Sequence, residues 1–140
     1  MVAFSLFACL TLFALSALHA AWAARVWWPV GDEGQLARTV AGFPGVEKMP
    51  NALACALVAA ALFVVALLLT IAVLDAEPPA LVWPALVGAS FVFLVRGAVG
   101  YTPYWHRATP EEPFRRLDRI FYSPLCLILG GAIAATAIGI

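Results

Sequence analysis

Five residues carry the groups that could do chemistry in an otherwise apolar chain: His19, Trp22, Arg96, Asp118 and Tyr122. An imidazole or a phenol can exchange protons, a guanidinium can hold an anion, and a carboxylate can pair with a cation. Helix rise puts His19 about 9 Å from Arg25 and Arg96 about 7–8 Å from Tyr101, while Asp118 and Tyr122 stand where the last apolar span begins. All four titratable groups therefore fall at a similar depth. A charge within such a span is expensive and by default faces the protein interior and a partner. Asp118 is the only acid near the depth of Arg96, so an Arg96–Asp118 pair is expected, against the plainer alternative that Arg96 snorkels to the headgroups. Asp118, Tyr122, Cys126 and Gly130 are spaced i, i+4, i+8 and i+12, which in a continuous α-helix makes one stripe.

Each group also has a plainer reading. His19 with Cys55 and Cys126 would suit a soft metal, but no local ligand spacing supports one, so no metal site is assigned. A satisfied imidazole and inert apolar thiols are the stronger reading. His106 lies in a loop, which excludes a transmembrane bis-histidine haem, and no cofactor is expected. Trp22 reads first as an interfacial anchor and Ser123 as a helix cap. No nucleophile elbow, phosphate loop or carboxylate pair occurs, so no catalytic residue is assigned. His19, Trp22, Arg96, Asp118 and Tyr122 form the candidate polar cluster or binding site. Arg115, Arg116 and Arg119 could meet anionic lipid headgroups, although a role in setting topology suffices to explain them.

The elements that must position these residues are membrane helices. The 140 residues are 64% hydrophobic and 11% charged, against about 45–50% and about 25% in soluble domains. Net charge is zero, which gives no reason to expect a nucleic-acid partner. The three cysteines are isolated and form no C-x-x-C. The N-terminal apolar run lacks a basic n-region and is too long for a signal peptide, so it reads as a permanent helix.

Spans are expected at about 2–24, 51–74, 80–100 and 120–140, within a single membrane domain covering 1–140. Between the first two, Asp32 and Glu33 can start a short amphipathic helix, Gln35 to Ala41, with Gly42 as its C-terminal stop. Pro50 is placed in the first turn of the second span, and Pro84 marks a kink near one end of the third. Tyr101, Tyr104 and Trp105 read as an aromatic belt. Thr109-Pro-Glu-Glu-Pro113 reads as a turn or an abortive capping box. The last span is either Leu117 to Ile140 with a kink at Pro124, or an interfacial helix followed by a short crossing from Pro124; the residues favour the second. Small residues recur in fours, Ala52/Ala56/Ala60 and Gly131/Ala135/Gly139, a pattern that allows close helix approach.

Basic residues gather in the two long loops, and the connection between the second and third spans, Asp75-Ala-Glu-Pro-Pro79, holds two acids and no base. The positive-inside rule makes the long loops cytoplasmic and puts both termini outside. The fold class expected is an all-α integral membrane bundle of four transmembrane helices, with short interfacial helices in the two cytoplasmic loops.

The segment Leu117-Asp-Arg-Ile-Phe-Tyr-Ser-Pro-Leu-Cys-Leu-Ile-Leu-Gly130 resembles the C-terminal signature of a bacterial membrane family, domain of unknown function 3995. His19-Ala-Ala-Trp22, Lys48-Met-Pro50 and Arg96 are similar to it as well. The resemblance implies a four-span fold in a bacterial inner (cytoplasmic) membrane and no particular activity. Three function classes stay open. The leading one is a non-catalytic accessory or assembly subunit, with membrane lipids, other membrane subunits or a second copy as partners. The others are a binder or transporter of a small amphipathic molecule, and an enzyme acting on a lipid or quinone through His19 or Tyr122.

Overall fold

The structure is a computed structural model that describes residues 2–140, and all regular structure among them is helical. Four helices are long and apolar enough to cross a membrane: α1 (Val2–Ala23), α3 (Ala52–Leu74), α4 (Val82–Val99) and a last helix over Phe114–Gly139. Short helices α2 (Glu33–Val40) and α5 (Pro103–Ala108) occupy the long loops. Local chemistry explains the boundaries. Asp32 caps α2 by accepting from the Gln35 amide at 2.8 Å, so the helix starts at Glu33, where the acidic pair is expected to start it. Gly42, at φ +68°, takes the left-handed conformation that ends it. Asn51 caps α3 through the Ala54 amide at 2.8 Å, which puts Pro50 just before the cap rather than inside the first turn. Pro84 falls in the first turn of α4, where its missing N–H costs no helical bond.

The last helix corrects the expected break. It runs as α6 (Phe114–Leu117), one π-helical turn (Asp118–Tyr122) and α7 (Ser123–Gly139), without interruption. Pro124 has no N–H, and its ring would crowd the carbonyl of Ile120 in a regular α-turn. The chain absorbs this upstream: the Ser123 amide bonds to the Asp118 carbonyl, five residues back instead of four.

α1 packs mainly on α3 and α4 mainly on α7, while α3 borders α4 and α1 borders α7, closing a four-helix bundle. Leu12, Leu69, Leu86, Leu129 and Ile133, from all four spans, fill its middle and are fully buried. A second core lies under the first long loop, where α2 buries Leu36 and Ala37 against Trp22, Met49 and Cys55.

Apolar contact between helices has little advantage over contact with lipid, so close packing and hydrogen bonds must hold the spans together. Ser16 donates to the Ala59 carbonyl across α1/α3 at 2.8 Å, Ser90 to the Gly130 carbonyl across α4/α7 at 2.9 Å, and Ser5 bonds Thr136 across α1/α7 at 2.8 Å. Neither small-residue row is a complete contact face, although Gly131 and Ala135 are half-buried. Ala52, Ala56 and Ala60 are exposed, as is Gly139. Instead Gly97, Gly100 and Gly130 line the α4/α7 seam. A Cβ on Gly97 would lie 2.9 Å from the Ser123 carbonyl oxygen, and one on Gly130 would lie 3.0 Å from the Leu94 amide nitrogen.

Candidate functional site

The expected polar cluster resolves into two separate sites at the long-loop end of the bundle. The first joins α4 to the last helix. Arg96 reaches across from the final turn of α4 and places a guanidinium nitrogen 2.6 Å from Asp118 Oδ1. Its other terminal nitrogen is 3.5 Å from Ser123 Oγ. Asp118 is 2% exposed, and its second oxygen, Oδ2, accepts from the Trp105 indole N–H at 2.9 Å. The same indole lies under the guanidinium, with Arg96 Cζ 5.0 Å from the ring centre. Both carboxylate oxygens are thus occupied by charge-assisted or indole donors, the condition under which a carboxylate can stay buried.

Sequence patterning gave Trp105 to an aromatic belt. Its role depends on α5, which Thr102 caps through the Trp105 amide at 3.3 Å with Pro103 at the first turn. The Thr-Pro start is a signal that Trp105 sits on a short helix, although not of where that helix points. Tyr101 and Tyr104 remain exposed.

The π-turn rewrites the stripe expected on the last helix. Its extra residue sets Ser123, fully buried, beneath Asp118 and against Gly100. Tyr122 is turned aside. Its hydroxyl donates to the Thr39 carbonyl in the first long loop at 3.0 Å, and its ring lies 5.8 Å from that of Phe114. Phe114 is buried against Gly42, the Glu111 amide donates to the Gly42 carbonyl at 3.1 Å, and the Gly45 amide donates to Glu111 Oε1 at 3.2 Å. Tyr122 therefore belongs to a seam that stitches the two long loops together, not to a pocket with His19.

His19 and Trp22 form the second site, between α1, α3 and the chain after α2. The Nδ1 atom of His19 lies 2.8 Å from the Leu15 carbonyl, and its ring is 4.8 Å from that of Trp22. The Trp22 indole is spent on the Trp28 carbonyl at 3.0 Å. A cavity of about 190 Å³ opens beside this pair, walled by His19, Trp22, Met49, Ala54, Cys55 and Val58 among others. Arg96, Asp118 and Tyr122 take no part in its wall. Among the described residues no group of His, Cys, Asp and Glu is arranged to hold a metal ion.

Arg115, Arg116 and Arg119 are exposed on the long-loop face, and none is ion-paired among the described residues. Arg25 is the basic residue of the loops that is tied down. It ends α1 at φ +61°, pairs with Glu33 at 3.1 Å, donates to the Pro50 carbonyl at 2.9 Å and covers the Trp27 ring at 4.6 Å. Those three contacts hold an arginine in a conformation that L-residues adopt at a cost.

No curated protein and no solved structure matches the chain. A family model does: it is described as a protein of unknown function, DUF3995, and it matches residues 12–133, which include both sites. The chain, a multi-pass bundle of four membrane-length helices, belongs to the DUF3995 family.

Proposed function

We propose that this protein is a non-catalytic accessory or assembly subunit of a membrane complex, seated in a bacterial inner membrane with both termini outside. One observation carries this reading: the buried polar groups are spent on holding helices and loops together. No buried side-chain nitrogen or oxygen among the described residues lacks a hydrogen-bond partner. Asp118 has both oxygens engaged within the fold, and the Tyr122 hydroxyl is committed to a loop carbonyl. A lipid- or quinone-directed enzyme using His19 and Tyr122 would need both near one point, and Tyr122 takes no part in the cavity beside His19. The orientation rests on the basic residues of the two long loops. Arg115, Arg116 and Arg119 then meet anionic headgroups of the cytoplasmic leaflet.

Extraction from native membranes in a gentle detergent, followed by native mass spectrometry, tests the role. A stoichiometric protein companion is expected, and a chain that always extracts alone overturns the reading. Orientation is tested by fusing alkaline phosphatase after Ile140, which is active only outside the cytoplasm. Activity is expected.

A further inference from the structure

The cavity beside His19 has a polarity that specifies what it can hold. A carbonyl only accepts, so the Leu15 carbonyl at 2.8 Å requires the proton of the neutral His19 ring to sit on Nδ1. Nε2 is then a bare acceptor. Among the described residues it has no partner and, since none of their partnerless side-chain nitrogens is buried, it is accessible; His19 is one wall of the cavity.

The other polar side chains of the wall, and the Pro50 carbonyl, are already used. The Trp22 indole donates to the Trp28 carbonyl, and the Pro50 carbonyl receives Arg25 at 2.9 Å and the Cys55 thiol at 3.7 Å. Among the described residues no Asp, Glu, Lys or Arg lines the space. An anionic or cationic occupant would therefore lie unpaired in an apolar wall, at a large cost in desolvation. What fits is a neutral molecule with one hydrogen-bond donor.

Size and wall chemistry narrow the class. The volume of about 190 Å³ exceeds the roughly 150 Å³ of an engineered apolar cavity that takes benzene. Trp22 and Met49 are each 6% exposed and offer a ring and a thioether, both of which favour an aromatic neighbour. We propose that this cavity is a binding site for a small neutral phenol, whose hydroxyl donates to His19 Nε2 and whose ring lies among Trp22, Met49 and Cys55.

The test uses the full chain in phosphatidylcholine nanodiscs with 15N-labelled histidine, of which there are only two, His19 and His106. The probes are 4-ethylphenol and its isomer 4-methylanisole, both para-disubstituted and equal in heavy atoms, of which the ether has no proton to donate. The phenol should displace the His19 Nε2 resonance saturably, leave His106 unmoved, and bind about tenfold more tightly than the ether, the worth of one hydrogen bond. Ala54→Leu, which fills the cavity, should remove the response. Equal affinity for phenol and ether, a shift that never saturates, or an undiminished response in a folded Ala54→Leu protein each overturns the proposal. The comparison of the two probes on the unsubstituted protein decides the matter even where Ala54→Leu does not fold.

Discussion

The two halves of this bundle solve one problem differently. In the α4/α7 half, glycines at 97, 100 and 130 bring backbones together, and an ion pair fed by an indole locks the long-loop end. In the α1/α3 half, Ser16 and Thr70 make the cross-helix bonds, packing relies on Ala59, Ala66 and Leu69, and the same end is left with a cavity. One half is closed by charge; the other is left open around a histidine. The contrast teaches that polar residues at equal depth in a membrane need not cooperate. Depth is shared by all four helices, whereas the partner is chosen by the neighbour that each helix faces.

Removing one end of the ion pair should break the contrast most. Asp118→Ala leaves Arg96 without its anion and the Trp105 indole without its acceptor, and is expected to destabilise the fold by about 3–5 kcal/mol. Thermal unfolding followed with a thiol-reactive dye reads this directly, because Cys9 and Cys55 are buried and free. In the same assay Arg96→Leu/Asp118→Leu should recover most of the loss, since apolar replacement of both partners removes the desolvation cost with the attraction. A double variant as unstable as Asp118→Ala would show that the charges themselves, not their balance, hold this half.

Close approach is the next largest contribution. Gly97→Ala pushes a methyl into the Leu127 side chain and the Ser123 carbonyl, and is expected to cost about 1–3 kcal/mol. A smaller effect belongs to the other half: Ser16→Ala loses the bond to the Ala59 carbonyl and should cost about 1 kcal/mol in the same unfolding measurement. If Ser16→Ala proved as damaging as Asp118→Ala, the two halves would not differ in the way described. The last effect has the opposite sign: Gly131 lies inside α7, where an added Cβ meets nothing within 4 Å, so Gly131→Ala should raise stability by about 0.5–1 kcal/mol.

Much of this was legible beforehand because it depends on distance along the chain. Four apolar runs give four helices, and counting 1.5 Å per residue brings Arg96 and Asp118 to one height. What could not be read was azimuth. His19 and Trp22 share the height of Arg96, but α1 faces α3, and no feature of the sequence states that neighbour. The stripe through Asp118, Tyr122 and Cys126 assumed 3.6 residues per turn, and a single π-turn ahead of Pro124 replaced Tyr122 with Ser123. Trp105 was hidden for a related reason: its use depends on where a six-residue helix points, which is set by tertiary contact rather than by pattern.

The pairing of Arg96 with Asp118 also imposes an order in time. Arg96 leaves the ribosome 22 residues before the carboxylate that neutralises it. Until that partner is made, the arginine must be accommodated at the bilayer edge, its long stem reaching toward the headgroups. The Thr39 and Gly42 carbonyls wait longer still, for Tyr122 and Glu111. A chain interrupted after α4 would carry an unneutralised cation and an unfastened first loop. Completion of the last helix is thus the event that removes both, and an unfinished or misinserted copy differs from a finished one by a charge at the membrane surface.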